Sequence, residues 1–222
     1  MITATYVDHM GSDLSVVNAA RVSFGKNHTE MTEGDTRLIK YLAKYKHTSP
    51  FGHAFASFHV KAPVFVARQL VKHKFLRWNE ISRRYVDDEP EFYQPDVWRG
   101  RSEDAKQGSE GVTYPDPDIV SFYNHTALRS YNELLENGVC PEQARMVLPQ
   151  STMTEWYWSG SLDAFSDMCN LRCKEDTQYE TRLVANKIDE IMLDLYPHSW
   201  QALTKGDTHA TDPRRREHSN QT

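Results

Sequence analysis

The stretch Arg68-Gln69-Leu70-Val71-Lys72-His73-Lys74-Phe75-Leu76-Arg77-Trp78-Asn79-Glu80-Ile81-Ser82-Arg83-Arg84-Tyr85 holds six Lys or Arg, one His and three aromatic residues. Guanidinium and ammonium groups bind phosphate, and aromatic faces stack on bases or isoalloxazines. The mixture suits an anionic ligand with a flat ring, such as a nucleotide or a flavin nucleotide; the competing reading is a solvated basic helix end followed by a loop. No Ser-His-Asp order surrounds Ser82, which argues for substrate positioning rather than nucleophilic attack. His47, His53 and His59 recur every six residues without a carboxylate or cysteine at ligand spacing, so no metal site is expected. Gly-x-Gly-x-x-Gly is absent, which argues against a Rossmann cofactor site.

These side chains need elements to aim them. Ser12 or Asp13 can cap a short helix through Ala20, and Asp35 a second in which Leu38, Tyr41, Leu42 and Tyr45 recur at helical spacing. Ala54 to Lys61 alternates as a strand, with Ala54, Ala56, Phe58 and Val60 on one face. Pro63 fits the first turn of the next helix, whose buried stripe is Val64, Ala67, Leu70 and Val71. On that helix Arg68, Gln69, Lys72 and His73 are close enough in sequence for their heads to converge near its C-terminal end. Asp87 to Pro117 is rich in Gly, Pro and acidic residues and reads as a long, partly mobile connection. A helix from about Pro117 to Asn137 follows, with Ile119, Phe122, Tyr123, Ala127, Tyr131 and Leu134 on one face and Gly138 at its stop. A short helix around Glu142 to Val147, a strand from Met153 to Trp158 and a helix capped by Ser161 and reaching Arg172 come next. Leu183, Val184, Ile188, Ile191, Met192 and Leu195 mark a final long helix. The class is α+β and helix-rich, one domain over 1–204, and the polar tail 205–222 is expected to be disordered.

With 222 residues, 39% of them hydrophobic, the chain can bury one sizeable core. A net charge of −5 argues against a protein that coats nucleic acid, since neutralising phosphates needs an excess of Lys and Arg. A single-strand-binding module using Arg68 to Tyr85 is the competing class. No apolar run is long enough to cross a bilayer and no signal-like start is present, so a cytoplasmic location without membrane contact is expected. Three cysteines, Cys140, Cys169 and Cys173, read as reduced thiols, the last two as helix residues rather than metal ligands.

The order of the residues adds to their types. Lys72-His73-Lys74, seven residues from Phe75 to Ile81, then Ser82 resembles the signature of flavin-dependent thymidylate synthases, Arg-His-Arg, seven residues, then Ser. Asn18-Ala19-Ala20-Arg21-Val22-Ser23-Phe24 and His47-Thr48-Ser49-Pro50-Phe51-Gly52-His53 look like the family's early motifs. Ala144-Arg145-Met146-Val147-Leu148-Pro149 and Asn170-Leu171-Arg172 follow in the right order, and the likeness runs from about Leu14 to Trp200. It implies a helix-rich domain with a small, mostly antiparallel sheet. It also implies reductive methylation of deoxyuridylate (dUMP) to thymidylate (dTMP), with 5,10-methylenetetrahydrofolate as carbon donor, FAD as hydride carrier and NADPH as reductant. A homotetramer with shared active sites belongs to the same expectation.

Residue by residue, the resemblance implies that Lys72, His73 and Lys74 reach the flavin, with Ser49 and Glu80 beside it. Gln69, Leu70, Val71 and Lys72, then Glu80, Ile81, Ser82, Arg83 and Arg84, together with Arg145, would surround dUMP. Arg172 would sit at the uracil edge as the catalytic residue. The chain also departs from the pattern. Lysines replace both signature arginines, Gly52 stands where an acidic residue is usual, and Arg83 where a small one is common. Ser161, Asp163, Asp167 and Asp176 fall near positions that supply Asn, His or basic side chains in the family, and the flavin role is not carried onto them. Kept nucleotide residues beside altered cofactor contacts make hydroxymethylation of a pyrimidine nucleotide the enzymatic alternative, and a catalytically dead nucleotide-binding relative the third.

Overall fold

The computed structural model describes residues 1–86, 88–103, 108–116 and 118–205. The strands are β1 (Thr3–Met10), β2 (Phe55–Pro63), β3 (Arg77–Glu80), β4 (Arg99–Arg101), β5 (Ser109–Val112) and β6 (Met153–Ser161). The helices are α1 (Asp13–Arg21), α2 (Glu33–Lys44), α3 (Val64–Leu70), α4 (Asp118–Glu136), α5 (Pro141–Ala144), α6 (Leu162–Arg172), α7 (Tyr179–Leu195) and α8 (Pro197–Thr204). The main sheet runs β1-β2-β6-β3, antiparallel throughout, and β4 and β5 form a separate antiparallel hairpin. This is the helix-rich α+β class that the sequence predicts.

Strand β2 alternates as its sequence demands. Ala56, Phe58, Val60 and Ala62 are buried, and the partner face of β6 buries Thr154, Trp156, Trp158 and Gly160. Trp156, Trp158, Phe58 and Phe165 meet at or near right angles, with ring centroids 5.2 to 6.4 Å apart, the edge-to-face packing that aromatic quadrupoles favour. Helices α6, α7 and α8 cover this side with Leu162, Met168, Ile188, Met192 and Trp200, all buried. Asp13, at the first position of α1, accepts from the backbone amides of His198 and Ser199 at 2.9 and 2.8 Å and so satisfies the open start of α8.

Several expectations are corrected. The second helix is capped by Thr32 rather than Asp35. Asp35 lies three residues inside and closes a capping box by accepting from the Thr32 amide and hydroxyl at 3.1 and 2.7 Å. Pro63 is the residue before α3, still extended, and not part of its first turn. Strands β1 and β3 and helix α8 have no counterpart in the sequence reading. β1 is mostly exposed and lacks clean alternation, β3 is four residues long, and α8 is one short amphipathic stretch behind Pro197. Within the expected connection 87–117 the chain forms the β4–β5 hairpin and a bridge from Phe92 to Thr152. Helix α4 buries Tyr131 while Ile119, Phe122 and Tyr123 of the expected core stripe remain exposed. Positions 206–222 of the expected tail lie outside the described residues.

Candidate active site

The signature segment is held by the end of α3 and the edge of the sheet. The chain leaves α3, turns through Phe75 in the left-handed region at φ 64°, and returns as β3 alongside β6. Gly160 makes this possible, because any side chain there would run into Leu76 and approach the Phe75 carbonyl at 3.3 Å. Trp78 stacks on Trp156 at 4.2 Å, which anchors β3 to the core.

Beyond α3 the segment meets the last residue of α6. Arg172 Nε donates to His73 Nε2 at 3.0 Å. Burial, reinforced by the neighbouring guanidinium, holds His73 down to about 4, so its ring is neutral near pH 7. Burial also lowers Arg172, which nevertheless stays cationic, as arginines in proteins do. The Gln69 side-chain amide donates to Gln178 Oε1 and accepts from Thr181 Oγ1 at 3.3 Å, so the start of α7 fixes its orientation.

Gln69, Lys72 and Arg172 line a cleft of about 540 Å³ whose other walls are Thr177, Gln178 and Glu180 before and within α7, and Arg99, Gly108 and Ser109 around the hairpin. Arg99 Nη2 pairs with Glu180 Oε1 at 2.5 Å, and its guanidinium lies 4.5 Å above the Tyr179 ring. The Tyr93 hydroxyl donates to the same carboxylate oxygen at 3.4 Å; burial and the Glu180 charge push Tyr93 up to about 12. The sequence reading did not single out Tyr93, Arg99, Gln178 or Glu180. The one available signal was Arg99-Gly100-Arg101, a basic pair in a stretch without periodicity.

Another group of the expected residues lies in a second cleft of about 430 Å³, lined by Glu80, Ile81, Ser82, Arg83, Arg84 and Arg145 together with Val64 at the start of α3. Val64 and Gln69 are separated by roughly 8 Å of helix rise, which places the two clefts at opposite ends of α3. Glu80 is held there by Thr154 Oγ1 at 2.6 Å and Trp78 Nε1 at 3.0 Å. Arg84 lies 4.9 Å over the Tyr85 ring with its Nε near Ser82 Oγ, and Arg145 Nε donates to the Glu142 carbonyl. Arg83 donates to the Asp88 carbonyl at 2.5 Å. Leu70 is fully buried, whereas Val71 is half exposed. Ser49 and Lys74 are exposed; Ser49 opens the short helix Ser49–His53, which packs against α6 and β6.

The donors around Lys72, His73 and Lys74 suit an anionic, flat-ringed cofactor. The first turn of α6 does not: it presents Asp163, and burial together with Asp163 raises the Asp167 carboxyl, with Lys46 opposing. Ser161 is the residue that caps that helix. Among the described residues no group of three His, Cys, Asp or Glu is placed to hold a metal ion, and His59 lies 3.4 Å from Glu155. No helix among them is long and apolar enough to cross a membrane.

A basic nucleotide-sized cleft built on a half-buried arginine and an antiparallel sheet defines a ligand-binding α+β fold, and comparison with known proteins specifies it. The sequence model of the family described as "Thymidylate synthase complementing protein" matches residues 5–198. A flavin-dependent thymidylate synthase of Thermus thermophilus is 41% identical over 198 residues, covering 88% of this chain and 73% of that protein. One from Thermosipho africanus is 38% identical over 204 residues, covering 90% and 89%. Among solved structures, the UMP/dUMP methylase PolB from Streptomyces cacaoi bound with 5-Br dUMP has a TM-score of 0.84 at 32% identity, covering 94% of this chain and 97% of that one. The same methylase bound with 5-Br UMP has a TM-score of 0.81. The chain belongs to the flavin-dependent thymidylate synthase family.

Proposed function

We propose that this protein methylates dUMP to dTMP, taking the one-carbon unit from 5,10-methylenetetrahydrofolate, with FAD as hydride carrier and NADPH as reductant. The observation that carries the reading is Arg172, a half-buried guanidinium in the 540 Å³ cleft beside Gln69 and Lys72. Carbon 5 of uracil is a weak nucleophile until N3 loses its proton, and a fixed cation favours the resulting anion. A charge-assisted hydrogen bond is worth about 1.5–3 kcal/mol, which lowers the ring pKa by roughly one to two units. Gln69, fixed by Gln178 and Thr181, orients the ring edge. Ser82, Arg83, Arg84 and Arg145 supply donors for the phosphate.

FAD, when bound, supplies the redox step of the reaction. Lys72, His73 and Lys74, with Ser49, are the residues that would hold it, and lysines there keep the charge while losing the bidentate fork of arginine. The phosphate donors and Arg172 lie in separate clefts of one chain. This favours a homotetramer in which the second cleft of one subunit completes the Arg172 cleft of another. The exposed Ile119, Phe122 and Tyr123 of α4, with Met146 and Val147 next to Arg145, form the kind of apolar face that a subunit interface covers. A chain drawing on nucleotide, folate and nicotinamide pools would work in the cytoplasm.

Release of tritium from carbon 5 of labelled dUMP tests the reading. Wild-type protein given the carbon donor, FAD and NADPH should release it, and Arg172→Ala should slow release by about 10- to 100-fold, following the energy assigned to the guanidinium. Equal release by the two proteins removes Arg172 from the chemistry.

A further inference from the structure

We infer that His73 is a positioning residue for Arg172, whose Nε it holds so that the Nη1 and Nη2 end of the guanidinium faces the pyrimidine. This rests on the reading of Arg172 as the group that polarises uracil. An arginine Nε–H only donates, so the 3.0 Å bond from Arg172 Nε requires a bare lone pair on His73 Nε2. The single hydrogen of the neutral ring is therefore on Nδ1, which leaves that nitrogen a donor on the far side of the imidazole.

The arrangement matters because of where Arg172 sits. It is the last residue of α6, with a long side chain that has many rotamers to lose. Among the described residues His73 is the one side chain hydrogen-bonded to it. A bond at Nε fixes the plane of the guanidinium and leaves four N–H donors at the other two nitrogens. The acceptor is also neutral. A carboxylate in the same place would orient the guanidinium equally well but would cancel the charge meant for the uracil anion. An uncharged imidazole orients it and leaves that charge available. The turn that carries His73 is itself braced, with the His73 amide donating to the Leu70 carbonyl at 3.1 Å, and Leu76 set on Gly160.

The ionisation of a bound pyrimidine reads this directly. Flavin-loaded protein is saturated with 5-bromodeoxyuridylate, the analogue bound by the Streptomyces cacaoi methylase. The N3 pKa of the bound ring is then followed by its ultraviolet difference spectrum against pH. Wild type should hold that pKa below the value of the free nucleotide, and Arg172→Ala should return it to the free value. His73→Phe, with flavin occupancy matched to wild type, should raise the bound pKa by about one unit, a tenfold change in proton affinity. His73→Gln, which keeps an acceptor, should stay near wild type. His73→Leu, which likewise removes the acceptor without adding charge, should behave like His73→Phe and serves if the phenylalanine variant does not fold. Wild-type titration in both His73→Phe and His73→Leu, beside a shifted Arg172→Ala, overturns the positioning role. An unshifted Arg172→Ala overturns the reading of Arg172 itself, so the two failures are distinct.

Discussion

The pair of Arg99 and Glu180 ties the β4–β5 hairpin to the start of α7, and the consequence of cutting it can be worked out. Glu180→Gln keeps the shape and one acceptor oxygen but removes the charge. Losing one partner of a fully buried ion pair costs about 3–5 kcal/mol, because the other charge is left without compensation. Here the Glu180 side chain is 5% exposed but Arg99 is 24% exposed, so water and the Tyr179 ring face take up much of the orphaned cation. The loss is better placed at one charge-assisted hydrogen bond reduced to a neutral one, about 1–2 kcal/mol. That corresponds to roughly a 5- to 30-fold increase in the open population of the hairpin. Native-state hydrogen exchange is the assay. Amides of 99–101 and 109–112 should exchange faster by that factor, while amides of β2 and β6 should change little. Because Arg99 and Ser109 wall the Arg172 cleft, the KM for dUMP should rise in parallel. Unchanged hairpin exchange together with a fall in global stability would refute the reasoning and make Glu180 a support of α7 alone.

Asp35 is fully buried; burial opposes its ionisation, yet hydrogen bonds from Thr32, His28 and Arg21 outweigh it and hold the carboxyl well below the usual range. A depressed folded pKa means stability that is complete above the unfolded value near 3.8 and is lost as pH falls toward the folded one. Asp35→Asn should therefore cost about 2–4 kcal/mol near neutral pH, less than a sealed pair because Arg21 is partly exposed, and should flatten the acid limb of a urea-denaturation series. His73 has the same sign for a different reason. Its folded pKa of about 4 lies below the ordinary histidine value of 6.5, so stability should decline as pH falls between these values, and thermal melts of His73→Phe should lack that component. If sites are shared between subunits, mixing the slowed Arg172→Ala and Arg84→Ala variants and reassembling at random should restore about a quarter of the sites to wild-type activity. No recovery places both residues in one chain's site.

Much of the fold could be read from periodicity where one face is buried against a continuous partner. β2 alternates because its inner face packs on helices, and α7 shows its stripe of Val184, Ile188 and Met192 because that stripe is core. The failures have equally local causes. β1 pairs with β2 along its whole length but is open to solvent on most positions, so nothing forces alternation on its sequence. Helix α4 buries Asn124 and Tyr131, whereas Ile119, Phe122 and Tyr123 of the expected stripe have nothing among the described residues to cover them. The site divides in the same way. Lys72, His73 and Arg172 were found through composition and motif order, and the structure brings the last two together. Arg99 and Glu180 were not, because an ion pair across 81 positions leaves no mark on local spacing. Nor could sequence show that Glu80 accepts from Thr154, 74 positions away.

Mass identification of the nucleotide formed from dUMP, 5,10-methylenetetrahydrofolate, FAD and NADPH tests the central claim most directly. Thymidylate from the wild-type chain is the predicted product. A hydroxymethylated nucleotide would mean that the altered cofactor contacts have changed the fate of the one-carbon unit, and unaltered dUMP in the presence of bound flavin would contradict the account.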